Sequence, residues 1–149
     1  MTLVPPPPRA PAVMAWRALM EAQERVMEQL RPALLAHDLS ISEFDVVVNL
    51  APGEDCRHTE LASRVVLSRT ALTRLVDRLV DRGLLERHAS QADARGVCVR
   101  LTDAGTVLRR AALRTNARVV QESFAGLTVA EAEQLHGLVT RVAAGGAGR

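Results

Sequence analysis

Ser68 to Gly105 reads SRTALTRLVDRLVDRGLLERHASQADARGVCVRLTDAG, and the order of signals within it decides the fold. Ser68 is a helix N-cap residue, and Leu72, Leu75, Val76 and Leu79 then recur at i, i+3, i+4 and i+7. That spacing predicts a helix over 69–82 with one buried stripe. Thr70, Thr73, Arg74, Asp77 and Arg78 fall on the opposite side. Gly83 suits the left-handed residue that closes a helix. Beyond it, 84–87 and 97–101 carry strand signals around the polar loop ASQADARG, and together they make an antiparallel hairpin. In the second strand Val97, Val99 and Leu101 alternate with Cys98 and Arg100, and Thr102 then caps another helix.

Glu60, Leu61 and Ala62 head a short helical pattern just upstream, with Thr59 as its cap. Leu61, Ala62, Val65 and Leu67 are the small and apolar residues that a helix-turn-helix buries. Helix, helix, strand, strand, helix describes a winged helix-turn-helix, which puts one helix in the DNA major groove with a hairpin beside it. The 69–82 helix has a lengthwise asymmetry that an ordinary amphipathic helix lacks. No acid occurs between Ser68 and Asp77, while Asp77 and Asp81 sit toward the far end. Its first turns can therefore approach a polyanion, helped by the positive end of the helix dipole. In the loop, Asp93 lies two residues before Arg95 and can hold its guanidinium extended, as suits an arginine entering a narrow minor groove. Read alone, the loop fits a solvent-exposed turn with an incidental ion pair better.

Charge follows the same geography. The whole chain carries a formal +2, but from Arg64 to Arg100 eight arginines face four acids, giving +4 and leaving −2 for the rest. A local excess of this kind is the footprint of a phosphate-binding surface. All basic side chains are arginine, a bias that codon usage explains as well as phosphate recognition does.

Working outward, residues 1–12 are proline-dominated, with Pro5 to Pro8 in a row, and read as a disordered arm or a ligand for a proline-binding module. From 13 to 37, Trp16, Met20, Gln23, Met27, Leu30 and Leu34 recur at alternating steps of three and four. A helix this long fits a dimer contact through part of its length, or an ordinary core helix. Ser42 and Asp45 form an S-x-x-D start for a helix over 42–50, which Pro52 and Gly53 end. The helix after Thr102 covers 103–125, with Arg109, Arg110, Arg114 and Arg118 mostly on one side. Thr128 and Glu131 make a T-x-x-E capping box for a last helix to about Ala143, striped by Leu135, Leu138, Val139 and Val142. Residues 144–149 read as a flexible tail.

The length of 149 residues, with 48% apolar and 24% charged residues, fits one domain with a real core, here 13–143, built on few aromatics. No run of 18 apolar residues occurs and the N-terminus lacks a signal-peptide pattern, so a cytoplasmic protein without a membrane partner is expected. Cys56 and Cys98 form no ligand pattern, and His37, His58, His88 and His136 are scattered. No nucleophile and base pair or carboxylate dyad is legible, so the expectation is no enzyme and no cofactor.

These segments resemble the MarR family of bacterial transcription regulators over nearly the whole chain after the proline arm. The most specific matches are Glu60-Leu61-Ala62, Thr73-Arg74-Leu75-Val76-Asp77-Arg78-Leu79, Arg82-Gly83-Leu84-Leu85-Glu86-Arg87, and Asp93-x-Arg95 followed by Val99-x-Leu101-Thr102-x-x-Gly105. The resemblance implies a mainly α fold with a small β-hairpin wing, dimeric through its N- and C-terminal helices (13–37 and 103–143), with the winged lobe at 42–102. It implies a homodimeric, ligand-responsive repressor that binds a pseudo-palindromic double-stranded DNA operator. Ser68, Arg69, Thr70, Thr73, Arg74, Arg78, Asp93 and Arg95 are its expected DNA contacts, with Arg95 as the wing arginine. Trp16, Met20, Leu135, Leu138 and Val142 are expected at the dimer contact. Trp16 or Phe44 could stack on a small aromatic or lipophilic effector, with an arginine holding its acid group. Ala94 departs from the family, which often has a second arginine there, and the first helix holds no cysteine. A redox switch through Cys56 or Cys98 and a metal sensor on a similar scaffold are the alternatives.

Overall fold

Pro11 opens the first helix, α1 (Pro11–Leu35), from a position where its missing N–H goes unused. The computed structural model describes residues 10–89 and 97–145. After α1 come α2 (Ile41–Val48), β1 (Cys56–Arg57), α3 (His58–Arg64), α4 (Arg69–Asp81), β2 (Leu85–Ala89), β3 (Val97–Leu101), α5 (Asp103–Ser123) and α6 (Val129–Gly145). This is a mainly helical chain with a three-stranded antiparallel sheet in the order β1-β3-β2. In the hairpin Leu85 pairs with Leu101 and Ala89 with Val97.

α4 follows from its sequence as expected. The Ser68 hydroxyl accepts the Ala71 N–H at 3.2 Å, and Leu72, Leu75, Val76 and Leu79 are all buried. Gly83, at φ +70°, donates to the Val80 carbonyl while Leu84 donates to Leu79, so the last carbonyls are satisfied by a left-handed turn that glycine adopts without strain. The Thr102 hydroxyl caps α5 by accepting from Gly105 N at 3.0 Å. Thr128 and Glu131 form their reciprocal box at the head of α6.

Other local readings need correction. The cap of α2 is Ser40, not Ser42: its hydroxyl accepts from Glu43 N while the Glu43 carboxylate accepts the Ser40 N–H at 2.9 Å. Two overlapping start signals compete here, and Ser40-x-x-Glu43 wins because glutamate reaches back across the turn where aspartate is too short. The helix α3 begins two residues earlier than a Thr59 cap requires, with Arg57 at the cap position, and Glu60 accepts the Arg57 N–H. A further strand, β1, pairs Cys56 with Val99 and Arg57 with Cys98. Because β3 is thereby the middle strand, with α3 and α5 against it, Cys98 is buried and Val97 exposed, the reverse of the expected alternation at those two positions.

The core gathers Leu34, Val46, Val47, Leu50, Leu61, Leu72, Val76, Leu79, Leu85 and Val99, with Ala112 and Val119 from α5. The apolar stripe of α1 divides along its length. Leu30 and Leu34 are buried, whereas Trp16 and Met20 remain 58% and 40% exposed and Gln23 is exposed too. α6 has no buried residue at all.

One ion pair fixes the turn between α2 and β1. The Glu54 carboxylate accepts from Arg64 Nη2 at 2.8 Å and from Ala51 N at 2.9 Å, while Arg64 Nη1 donates to the Asn49 carbonyl at the end of α2. The arginine bond, then the amide, holds the Glu54 carboxyl below its ordinary value of 4.5. A depressed folded-state pKa gives stability that is present above the unfolded value and is lost as pH falls through the folded one. Glu54→Gln should therefore melt lower than wild type at neutral pH, with the gap in melting temperature closing below about pH 4. A gap that persists into acid would contradict this reading.

Candidate nucleic-acid interface

The turn between α3 and α4 sets the tip of α4 outward. Leu61 and Val65 are buried beneath it and Leu67 packs on the core, so the helix can enter a groove without unpacking the lobe. Ser68, Arg69, Thr70, Thr73 and Arg74 are all exposed along its first turns. Among the described residues neither Arg69 nor Arg74 has an ion-pair partner. Ser68 uses one lone pair in capping and keeps its O–H free to donate. The Thr73 hydroxyl donates to the Arg69 carbonyl at 2.9 Å, and His58 Nε2 stands 3.4 Å from the Thr73 Oγ1. His58 thus joins the face formed by α4, a placement that no pattern around it in the sequence signals.

The acids of α4 lie at its other end, and the better placed one is neutralised: Asp77 is paired with Arg87 of β2. Arg78 keeps most of its side chain exposed but leans toward buried Glu43, with Nε 3.8 Å from the carboxylate; Arg82 approaches the same oxygen to 3.5 Å. Glu43 therefore locks α2 to the back of α4. Between these helices Ser40, Ser42, Ala71, Arg74, Asp77 and Arg78 line an open cleft of about 640 Å³. The root of the hairpin is held by Arg100, which bonds Glu86 at 3.1 Å and approaches Asp55 to 3.6 Å. Asp93 and Arg95, the expected wing contacts, lie outside the described residues.

Trp16 is exposed on the first half of α1, and Phe44 is half-buried against the core. Neither lines the 640 Å³ cleft, nor a second cleft of about 300 Å³ formed by Pro52, Thr106, Arg109, Arg110, Leu113, Arg114 and Ala117. In that second cleft three arginines rim an apolar floor, and Arg109 Nη2 donates to the Val48 carbonyl at 3.2 Å.

The pairing of β1 with β3 bears on the cysteines. Cys56 opposes Val99 and Cys98 opposes Arg57, which sets the two thiols on opposite faces of the sheet. Both are buried, and burial pushes the Cys56 thiol up from its ordinary value, away from the reactive thiolate. Mild peroxide should leave the intact mass unchanged at Cys56; a stoichiometric gain of one oxygen there would contradict this. Among the described residues no group of three His, Cys, Asp or Glu side chains is placed to hold a metal ion.

The sequence model described as the MarR family matches residues 37–96, the span from the end of α1 into the hairpin. The transcriptional repressor MprA of Escherichia coli K12 is 26% identical over 132 residues, covering 87% of this chain and 75% of that one. The homoprotocatechuate degradative operon repressor of Escherichia coli is 28% identical over 118 residues, covering 79% and 80%. Among solved structures, a cysteine mutant of Escherichia coli MarR complexed with operator DNA superposes with a TM-score of 0.77 at 26% identity, covering 88% of this chain and 94% of that one.

Proposed function

We propose that this chain, which is similar to the MarR family over residues 37–96, is a transcriptional repressor that binds a pseudo-palindromic DNA operator as a homodimer and releases it when a small acid binds. The observation that carries this reading is the tip of α4: Ser68, Arg69, Thr70, Thr73 and Arg74 stand exposed and, among the described residues, without a carboxylate partner, on a helix whose other face is locked into the core. Such a helix presents hydrogen-bond donors to base edges and phosphates at once. Arg78 serves the phosphate backbone, and Asp93 and Arg95 serve the minor groove.

The homodimer rests on the uncovered apolar faces. Trp16 and Met20 of α1 and Leu138 and Val142 of α6 are all exposed within one chain, and Leu135 is half-buried beside them. Two-fold pairing of α1 and α6 with their counterparts covers this surface and sets two copies of α4 about one helical turn apart. Effector control rests on the arginine-rimmed cleft of α5, where Arg110 and Arg114 suit a carboxylate and Leu113 and Ala117 suit an apolar body. Trp16 and Phe44, expected to stack on such a molecule, are not needed for this.

Selection of bound sequences from random DNA tests the reading. It should yield an inverted repeat whose half-sites lie about one turn apart; enrichment of no sequence at all would sink it. On the selected duplex, Arg74→Ala separates two roles. A base contact costs about 1–3 kcal/mol and relaxes one position, whereas a phosphate contact weakens all sequences alike and flattens the salt slope by about one.

A further inference from the structure

We infer that Val66 is a base-reading residue of this interface, seating its isopropyl group on a thymine 5-methyl in the major groove. The inference rests on the DNA-binding reading above and adds to it a residue of a chemistry that the polar contacts of α4 lack. Val66 is 97% exposed, while its neighbours turn inward: Val65 is 7% exposed and Leu67 packs on the core. The extended backbone at Val65 (φ −114°, ψ 149°) throws successive side chains to opposite sides, so the middle residue of Val65-Val66-Leu67 must face out. Nothing within the chain is gained by making that residue apolar, since an isopropyl group left in water recovers none of its transfer free energy.

Position selects the partner. Val66 precedes the Ser68 cap by two residues and lies inside a stretch, Leu61 to Val76, that contains no acid and holds Arg69 and Arg74, besides Arg64, which is tied to Glu54. Its exposed neighbours in the sequence, Ser63, Arg64, Ser68 and Arg69, are all polar and add nothing apolar to its single side chain. A protein partner needs a far larger apolar patch than that. The major groove, by contrast, offers a single apolar group of matching size, the 5-methyl of thymine.

The test replaces each thymine of the selected duplex in turn by deoxyuridine, which removes the methyl and leaves base pairing intact. Wild-type protein should show one position per half-site where the change weakens binding about fourfold, the value of one buried methyl, and about sixteenfold when both half-sites are changed. Val66→Ser should bind the thymine duplex with the same deficit and be indifferent to deoxyuridine at that position. Its melting temperature should equal that of wild type, because the residue touches no core. The inference is overturned if the selected half-sites contain no thymine, if wild type ignores every methyl, or if Val66→Ser keeps the full methyl dependence. In each of these outcomes the parent reading stands as long as the duplex is bound; if no duplex is bound, both fall.

Discussion

Replacing Leu138 and Val142 of α6 by aspartate should yield a folded monomer whose operator affinity has dropped at least a hundredfold. The two side chains are 49% and 70% exposed in the isolated chain, and neither belongs to the core, so their loss removes little internal packing. Their environment changes only on pairing, when two unpaired carboxylates per subunit are driven into an apolar contact. Linked binding of two recognition helices raises affinity by roughly 10² to 10⁴ over one alone, and a monomer forfeits that factor. Light scattering reports the mass, circular dichroism the helix content, and an anisotropy titration the affinity. A variant that remains dimeric would move the contact off α6. A monomer that binds as tightly as wild type would remove the need for a dimer.

The second large effect is structural and sits at the root of the wing. A Cβ built on Gly105 falls 2.0 Å from the Leu84 carbonyl oxygen, 3.0 Å from its carbon and 3.2 Å from Leu101 Cδ2. Backbone, not a flexible side-chain end, blocks the space. That carbonyl also accepts from Thr102 N at 3.1 Å and from the Thr102 hydroxyl at 3.2 Å, so moving it aside breaks the junction of β3 with α5. Gly105→Ala should therefore cost about 3 kcal/mol, lowering the melting temperature by roughly 10 °C. Gly126→Ala is the control, since its Cβ meets nothing within 4 Å. If the two variants melt alike, α5 does not pack against Leu84 as described.

Gly105 also marks how far the sequence could be read. It stood out only as part of a family-like motif; the close approach of α5 to Leu84 that makes glycine necessary is a tertiary fact with no local signature. Where a signal is local, the reading holds. Ser68 and Gly83 bracket α4, its stripe is at helical spacing, and Thr128 and Glu131 announce α6, so each element forms as expected. Where two local signals overlap, as in Ser40-x-x-Glu43 and Ser42-x-x-Asp45, only the competition of side-chain reach decides between them. A two-residue strand such as Cys56–Arg57 has no periodicity to detect, and missing it hid the burial of Cys98.

The face of α4 follows the same pattern. Its exposed residues were legible because an amphipathic helix states which side is polar, but Glu43, which holds Arg78 and Arg82 from α2, lies more than thirty residues upstream of both in sequence. The stripe of α1 is the most instructive case. Trp16 and Met20 obey the same spacing as Leu30 and Leu34, yet only the latter two are covered by their own chain. Periodicity says that a face is apolar and is silent on what buries it. His58 beside Thr73 carries no pattern at all; only the fold, which brings α3 to α4 at this point, sets the two side by side.

In the proposed complex two chains hold two copies of α4 against consecutive major grooves of one duplex. Native mass spectrometry of wild-type protein on the selected inverted repeat, compared with a duplex keeping only one half-site, tests it most directly. The account predicts two chains per full duplex and affinity for the half-site duplex weaker by at least a hundredfold. One chain per duplex, or equal affinity for both duplexes, would contradict it.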